Sequence, residues 1–360
     1  MVAGPRVVVN CRFLTQPLTG VQRFAQRIAR ELVDARADVQ LVAPPGDLRP
    51  SELDGLVLQI GSGGGHYWEQ IALPRALRSL GSPLLVNLMN TAPIVYQPQI
   101  STIHDLGFLR NPDSYSWRYR QAYRVLTPLT IRSSKVVVTV SEFSRRELQL
   151  EYPKLEPTVC VVPNAVDPIL MATEGTPVAD LLESPFFLSV GSLSAHKNVS
   201  RALAAFNLFR RNHGPSFRYA IVGQSARAFS DHAHASGSSV KWLGRVTDSE
   251  LAWLYRHCTA YVFPSLYEGF GIPPLEAQAL GAPVISSARA PMTQVLGSDG
   301  AEWVDPLSVE DLARAMCEVA GSKDRQSALS SAGRRNAENY TWLSSARTLA
   351  ETIDDVLAQS

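Results

Sequence analysis

The sequence predicts an α/β protein of two doubly wound domains, each a parallel sheet covered by helices. Three observations carry this. Apolar runs rich in β-branched residues recur along the chain, each followed by a loop of small residues and a helix-like stretch. The series runs twice, with a proline-bearing connector between. The 360 residues suffice for two cores at roughly 100 to 200 residues per domain.

The first series reads as strands near Arg6–Asn10, Gln40–Ala43, Val57–Ile60, Leu84–Leu88, Ile100–His104, Lys135–Val140 and Thr158–Val162. The second reads near Phe186–Val190, Tyr219–Val222, Val240–Leu243, Ala260–Phe263, Pro283–Ser286 and Glu302–Val304. Between them Pro163-Asn-Ala-Val-Asp-Pro168 opens a less patterned stretch to Pro185, and prolines there favour an extended connector. Parallel sheets bind ligands at the carboxyl ends of their strands, so two such domains are expected to face one another across a cleft. Leu343, Ala346, Ala350, Ile353 and Leu357 recur three or four apart and make an amphipathic C-terminal helix, whose spacing alone does not say which domain it covers. The domain assignment is 1–167 with that helix, about 340–360, as the N-terminal Rossmann-like domain, and 168–339 as the C-terminal Rossmann-like domain.

Composition excludes several classes. With 45% apolar and 19% charged residues the chain is neither disordered nor membrane-spanning, since no apolar run approaches the ~20 residues needed to cross a bilayer. A formal charge of +1 supplies no global field to collect nucleic acid. Cys11, Cys160, Cys258 and Cys317 are scattered without metal or disulfide spacing. The first apolar run is four residues long, too short for a signal-peptide core, so a cytoplasmic location is expected.

The densest chemistry is Ser265-Leu-Tyr-Glu268-Gly-Phe-Gly-Ile-Pro-Pro-Leu-Glu276. Gly269 and Gly271 free the backbone to turn, Pro273 and Pro274 suit the first turn of a helix, and a helix N-terminus favours anions. An ordinary turn with two solvated carboxylates is the competing reading. Glu268 and Glu276, with seven residues between them, resemble the E-x7-E motif of family 4 retaining glycosyltransferases of the GT-B fold. Val190-Gly-Ser-Leu193 followed by His196-Lys-Asn198 is similar to that family's phosphate-binding loop, and Leu243-Gly244-Arg245-Val246 to its base-binding turn. Thr139-Val-Ser-Glu-Phe-Ser144, Ile103-His104-Asp105 and Gly20-Val21 match segments of its first domain, so the resemblance spans roughly residues 6 to 350.

The resemblance implies roles. Glu276 would accept hydrogen bonds from ribose hydroxyls. Glu268 and the amides of Gly269, Phe270 and Gly271 would hold the sugar, with Ile272 in the same donor-binding loop. Lys197 would neutralise the diphosphate, Gly20 and Val21 would approach it, and Ser192 belongs to the same loop. Gly244, Arg245 and Val246 would meet the base. His104 would contact the donor sugar near the reacting carbon, with Asp105 beside it. The family usually carries an arginine where Ser192 or His196 stands, a departure that bears on diphosphate binding. No Asp-x-Asp occurs anywhere, so metal ligands of that type are lacking. Cations and backbone amides would stabilise the leaving diphosphate instead.

Two further segments stand out. Gly61-Ser-Gly-Gly-Gly65 before His66-Tyr-Trp-Glu-Gln70 fits no nucleotide-loop pattern and reads as a flexible surface loop, or a mobile one near the acceptor. Trp117-Arg-Tyr-Arg-Gln-Ala-Tyr-Arg124 through Arg132 and Lys135 holds five basic residues with interleaved aromatics. It reads as a solvated helix face, or as a surface for anionic membrane or a polyprenyl-diphosphate acceptor. The sequons at Asn198 and Asn339 carry no meaning in a cytoplasmic chain.

The sequence therefore points to a retaining hexosyltransferase, metal-independent and without a cofactor. A nucleotide diphosphate sugar is its donor, GDP-mannose first. A sugar or polyprenyl-diphosphate-linked sugar is its acceptor in surface-polysaccharide assembly, and nucleic acid is not a partner. It would be cytoplasmic and peripheral on the inner face of the cell membrane. The rivals are a nucleotide-sugar 2-epimerase of the same fold and a non-catalytic two-domain sugar-binding protein.

Overall fold

The computed structural model describes residues 5–156, 158–191, 194–213, 216–223 and 239–359. The chain divides into two compact units, residues 1–164 with 341–360 and residues 165–340, so the first crossing falls just ahead of the expected 167. The C-terminal helix belongs to the first unit.

Unit 1 is built on seven parallel strands: β1 Val7–Asn10, β2 Val39–Ala43, β3 Val57–Gln59, β4 Leu84–Asn87, β5 Gln99–Thr102, β6 Val136–Thr139 and β7 Val159–Val161. Their order across the sheet is β3-β2-β1-β4-β5-β6-β7. Val7, Val8 and Val9 are fully buried, the expected state of a strand covered on both faces, which is why it reads as a continuous apolar run. Thr19 caps the helix Gly20–Ala35 in a capping box with Gln22. That helix carries Phe24, which meets Trp342 edge-on at 6.1 Å. Trp342 opens the C-terminal helix, Trp342–Ala358. Its buried stripe is Trp342, Ala346, Leu349, Ile353 and Val356, which shares Ala346 and Ile353 with the expected one, and Leu343 is exposed. Ser345 donates to the Pro163 carbonyl at 2.8 Å and Arg36 pairs with Asp354 at 2.7 Å, tying both ends of the chain into one unit.

Unit 2 has six parallel strands: β8 Phe186–Val190, β9 Arg218–Val222, β10 Val240–Gly244, β11 Ala260–Phe263, β12 Val284–Ser287 and β13 Glu302–Val304. Their order is β10-β9-β8-β11-β12-β13. Under the sheet Phe187 packs against Phe206 and Phe209, all fully buried, and each such side chain contributes roughly 1.5 to 3 kcal/mol. In both sheets the strand order reverses once, at β1/β4 and at β8/β11, and the loops leaving those strand pairs are where a doubly wound sheet binds its ligand.

Candidate functional site

In unit 2 the reversal point gathers most of the sequence-marked residues. β8 runs out into Gly191, whose φ of +143° suits glycine. A single turn, Ala195–Lys197, then presents Lys197. Its Nζ lies 2.7 Å from Glu268 Oε1, and the side chains are only 17% and 14% exposed. The same ammonium stands 5.2 Å from the centre of the Phe263 ring at the end of β11. Sequence reasoning gave Lys197 and Glu268 separate tasks. The fold joins them as one ion pair, so a ligand phosphate reaching Lys197 competes with the carboxylate. Burial lowers the His196 imidazole below its usual range, against the opposing charge of Glu268. His196 stands at one of the positions where the family's arginine is usual, so that place holds an imidazole biased toward neutrality. Ser192 lies outside the described residues.

Gly271 caps the helix Ile272–Ala279 at φ +105°, and a Cβ there would stand 2.5 Å from Met292 Cε, so this turn admits only glycine. Phe270 is buried and meets Tyr340 edge-on at 5.6 Å, which leaves backbone as what this part of the loop can offer a ligand. Glu276 is buried and accepts from the Tyr255 hydroxyl at 3.3 Å. Burial, reinforced by the charge of Glu276, pushes the Tyr255 and Tyr261 phenols well above their usual range, so both stay protonated beneath the loop. Gly244, at φ +65°, ends β10 and turns the chain into exposed Arg245 and half-buried Val246.

One residue of this loop motif had no role of its own in the sequence. Asn198 is buried at φ +60° and donates from Nδ2 to the carbonyls of Pro264 at 3.0 Å and Pro306 at 2.7 Å. It pins the Lys197 turn to the loop that carries Glu268. A non-glycine residue held in the left-handed region, where asparagine is enriched, is the signal that could have found it.

In unit 1 the strand ladder stops at Thr102, so His104 lies two residues beyond β5 rather than within it. Its ring is buried, edge-on to Phe24 at 5.0 Å. Its Nε2 sits 3.2 Å from the Leu88 carbonyl, which can only accept, so Nε2 carries the proton and Nδ1 the lone pair. Burial lowers the imidazole to about 4, with the Leu88 contact opposing, and the ring is neutral at pH 7. Asn90 accepts the His104 backbone N–H at 2.8 Å, and Asp105 accepts that of Gly107 at 2.7 Å. Val21, the second residue of its helix, and Asp105 line a common cavity of about 220 Å³ in this unit.

Sequence reasoning also missed a sealed polar network. Arg12 Nε pairs with Glu69 Oε1 at 3.0 Å, their side chains 7% and 1% exposed. Thr91, Asn10 and Asn87 extend it to the ends of β1 and β4. Burial opposes ionisation of Glu69, yet the His66 ring and the Arg12 charge hold its carboxyl below the usual range. The glycine loop before it lies on the surface as expected, with 61–65 all exposed, and is anchored at its first residue. Gly61 abuts Trp68, which is fully buried and donates to the Ile60 carbonyl at 2.7 Å.

The basic stretch is the helix Trp117–Ser133, capped by Ser116. Tyr115, Tyr119 and Tyr123 stack in succession, at 5.3 Å and then 4.1 Å. Tyr123 also packs against the apolar cluster of Ile103, Leu106 and Phe108. That leaves Trp117, at 68% exposed, as the most open of the interleaved aromatics, ahead of Tyr119 at 36%.

Two family models match the chain, Glycosyltransferase Family 4 over residues 18–169 and Glycosyl transferases group 1 over residues 179–336. The chain is a glycosyltransferase built from these two domains. It is similar to O-antigen chain mannosyltransferase B of Escherichia coli, 24% identical over 94% of this chain and 96% of that protein. It is also similar to O-antigen chain mannosyltransferase RfbU of Salmonella typhimurium, 29% identical over 67% of this chain and 65% of that one. Among solved structures, sucrose-phosphate synthase from Thermosynechococcus elongatus superposes with a TM-score of 0.75 at 17% identity, covering 98% of this chain and 99% of that one. WaaG, a glycosyltransferase involved in lipopolysaccharide biosynthesis, gives 0.70 at 18%, covering 96% and 99%. The enzyme thus has the GT-B fold, and neither the epimerase nor the non-catalytic binding protein has a counterpart among these relatives. Among the described residues no helix is long and apolar enough to cross a membrane, and no group of three His, Cys, Asp or Glu is placed to hold a metal ion.

Proposed function

We propose that this glycosyltransferase moves mannose from GDP-mannose to a sugar or polyprenyl-diphosphate-linked sugar acceptor in surface-polysaccharide synthesis, with retention at the anomeric carbon. The observation that carries the donor half is the Lys197–Glu268 pair at the β8/β11 reversal, with buried Glu276 behind the glycine turn. Mannose is supported by the mannosyltransferases to which the chain is similar. Lys197 and loop amides would meet the charge that develops on the leaving diphosphate oxygen as its bond to the sugar breaks, so transfer needs no metal. Glu276 would take the ribose hydroxyls, Glu268 the sugar, and Ser192, Gly244, Arg245 and Val246 the remainder of the nucleotide. His104, neutral and with Nδ1 left to accept, is suited to a hydrogen bond with a sugar hydroxyl rather than to proton abstraction. The working place is the cytoplasm, peripheral on the membrane through the basic helix.

Calorimetry with GDP tests the reading. Glu276→Gln is expected to bind GDP about ten- to hundredfold more weakly than wild type, the loss of a charge-assisted hydrogen bond. Equal affinity refutes the role of Glu276, and tighter wild-type binding of UDP than of GDP moves the donor to a uridine sugar.

A further inference from the structure

The turn that carries Lys197 and the loop that carries Glu268 form one platform at the β8/β11 reversal. The Leu266 N–H donates to the His196 carbonyl at 2.8 Å, Asn198 reaches Pro264 from two positions on, and Lys197 closes on Glu268 at 2.7 Å. His196 is thereby fixed beside the ion pair, half-buried, with Nε2 3.3 Å from the Ser194 hydroxyl. Two charges act on its ring, Glu268 from the loop after β11 and Lys197 from its own turn. Arg201, on the helix Val199–His213 that follows, is turned to Asn198 Oδ1 at 2.6 Å.

The platform's own charges cancel. Residues 191–198 and 264–271 hold one fixed cation, Lys197, and one fixed anion, Glu268, whereas a diphosphate brings several negative charges. His196 is the one further side chain of those two segments that can become positive. Burial holds its imidazole below the usual range, with Glu268 opposing and Lys197 adding to the effect, so the ring is largely neutral at pH 7. A phosphate at hydrogen-bonding range reverses that balance, because an adjacent anion favours the charged form.

We infer that His196 is the second cation of the donor site, taking a proton from solvent when a nucleoside diphosphate binds and meeting its phosphates beside Lys197 as an imidazolium. This rests on the transferase reading above, which puts the diphosphate at Lys197. Both nitrogens of an imidazolium donate, so a phosphate oxygen can join or replace the Ser194 hydroxyl as acceptor. The affinity that His196 adds is therefore full in acid and is lost as pH rises through the range of the bound imidazolium.

Calorimetry on the full chain tests this at about pH 6 and about pH 8.5, with GDP or with UDP should that bind more tightly. Wild type is expected to bind roughly three- to tenfold more tightly than His196→Gln at the lower pH, and about equally at the higher. The ratio of the two affinities cancels what the nucleotide phosphate and Glu268 contribute to pH dependence. His196→Arg, a permanent cation, should keep the advantage at both values. Wild type should match it in acid and fall behind it in base, a comparison that stands alone if His196→Gln does not fold. A ratio that is the same at both values, or an arginine variant that binds no better in base than wild type, overturns the inference while leaving the donor reading intact. Wild type that binds neither GDP nor UDP overturns the donor reading and this inference with it.

Discussion

The two units repeat one topology and handle charge at its reversal point in opposite ways. In unit 2 the Lys197–Glu268 pair stands at the carboxyl ends of β8 and β11 with part of each side chain open to solvent. In unit 1 the Arg12–Glu69 pair near the ends of β1 and β4 is closed off, tied down by Thr91, Asn10 and Asn87. A sealed pair spends its charge on structure, because each ion is stable only while the other is present. An open pair can exchange its partner for a ligand. The difference predicts that unit 2 recognises charged groups and unit 1 neutral ones.

The largest expected effect separates the two pairs by stability. Arg12→Met leaves the buried Glu69 carboxylate with only the exposed His66 ring as a charged partner and should lower the unfolding free energy by about 3 kcal/mol in urea denaturation. Lys197→Met, whose partner keeps part of its solvent access, should cost less than Arg12→Met in the same assay while abolishing tight GDP binding. Similar losses from both would erase the contrast.

Next comes His104, the neutral group of unit 1. Its folded imidazole titrates near 4 against 6.5 when unfolded, so between those values the unfolded chain takes a proton that the folded chain refuses. Stability is therefore full above pH 6.5 and falls as pH drops toward 4, by on the order of 3 kcal/mol, after which this contribution is constant. Thermal melts of His104→Gln should lose most of that slope. In the same variant GDP affinity should hold while turnover drops, and a loss of GDP affinity would place His104 outside the proposed role. Unchanged pH dependence would show that burial of this ring is not what destabilises the folded state in acid.

The smallest effect concerns the charges that unit 1 does leave open. Arg118, Arg124, Arg132 and Lys135 are exposed on or next to the helix Trp117–Ser133. Near an anionic leaflet each contributes about 1 kcal/mol, so Arg118→Ser with Arg124→Ser should weaken co-sedimentation with anionic vesicles, and 1 M salt should weaken it further. Binding that ignores both lipid charge and salt would assign this face to solvent alone.

How far the sequence could be read follows from range. All thirteen strands among the described residues were legible, because strands buried on both faces must be apolar without alternation, a local property. The glycines at 269 and 271, with the prolines after them, announced the turn and its helix for the same reason. Arg12 and Glu69 were not legible as a pair. They lie 57 positions apart, and nothing near either residue says that it will be enclosed. The C-terminal helix was legible as amphipathic with Ala346 and Ile353 buried, yet three positions of its stripe, Leu343, Ala350 and Leu357, give way to their preceding neighbours, because Trp342 faces Phe24 on another helix and draws the face toward itself. Pairing Lys197 with Glu268 likewise required the crossover between β8 and β11.

The helix Trp342–Ala358 has a consequence for synthesis. It covers Phe24 and closes on Pro163, so unit 1 is finished by residues that leave the ribosome after all of unit 2. Unit 2 is continuous in the chain and can fold once its own residues have emerged. The nascent first unit meanwhile waits with the apolar side of Gly20–Ala35 uncovered, a surface for chaperones to hold or for aggregation to exploit. A ribosome stalled before residue 342 therefore carries one complete unit and one open one.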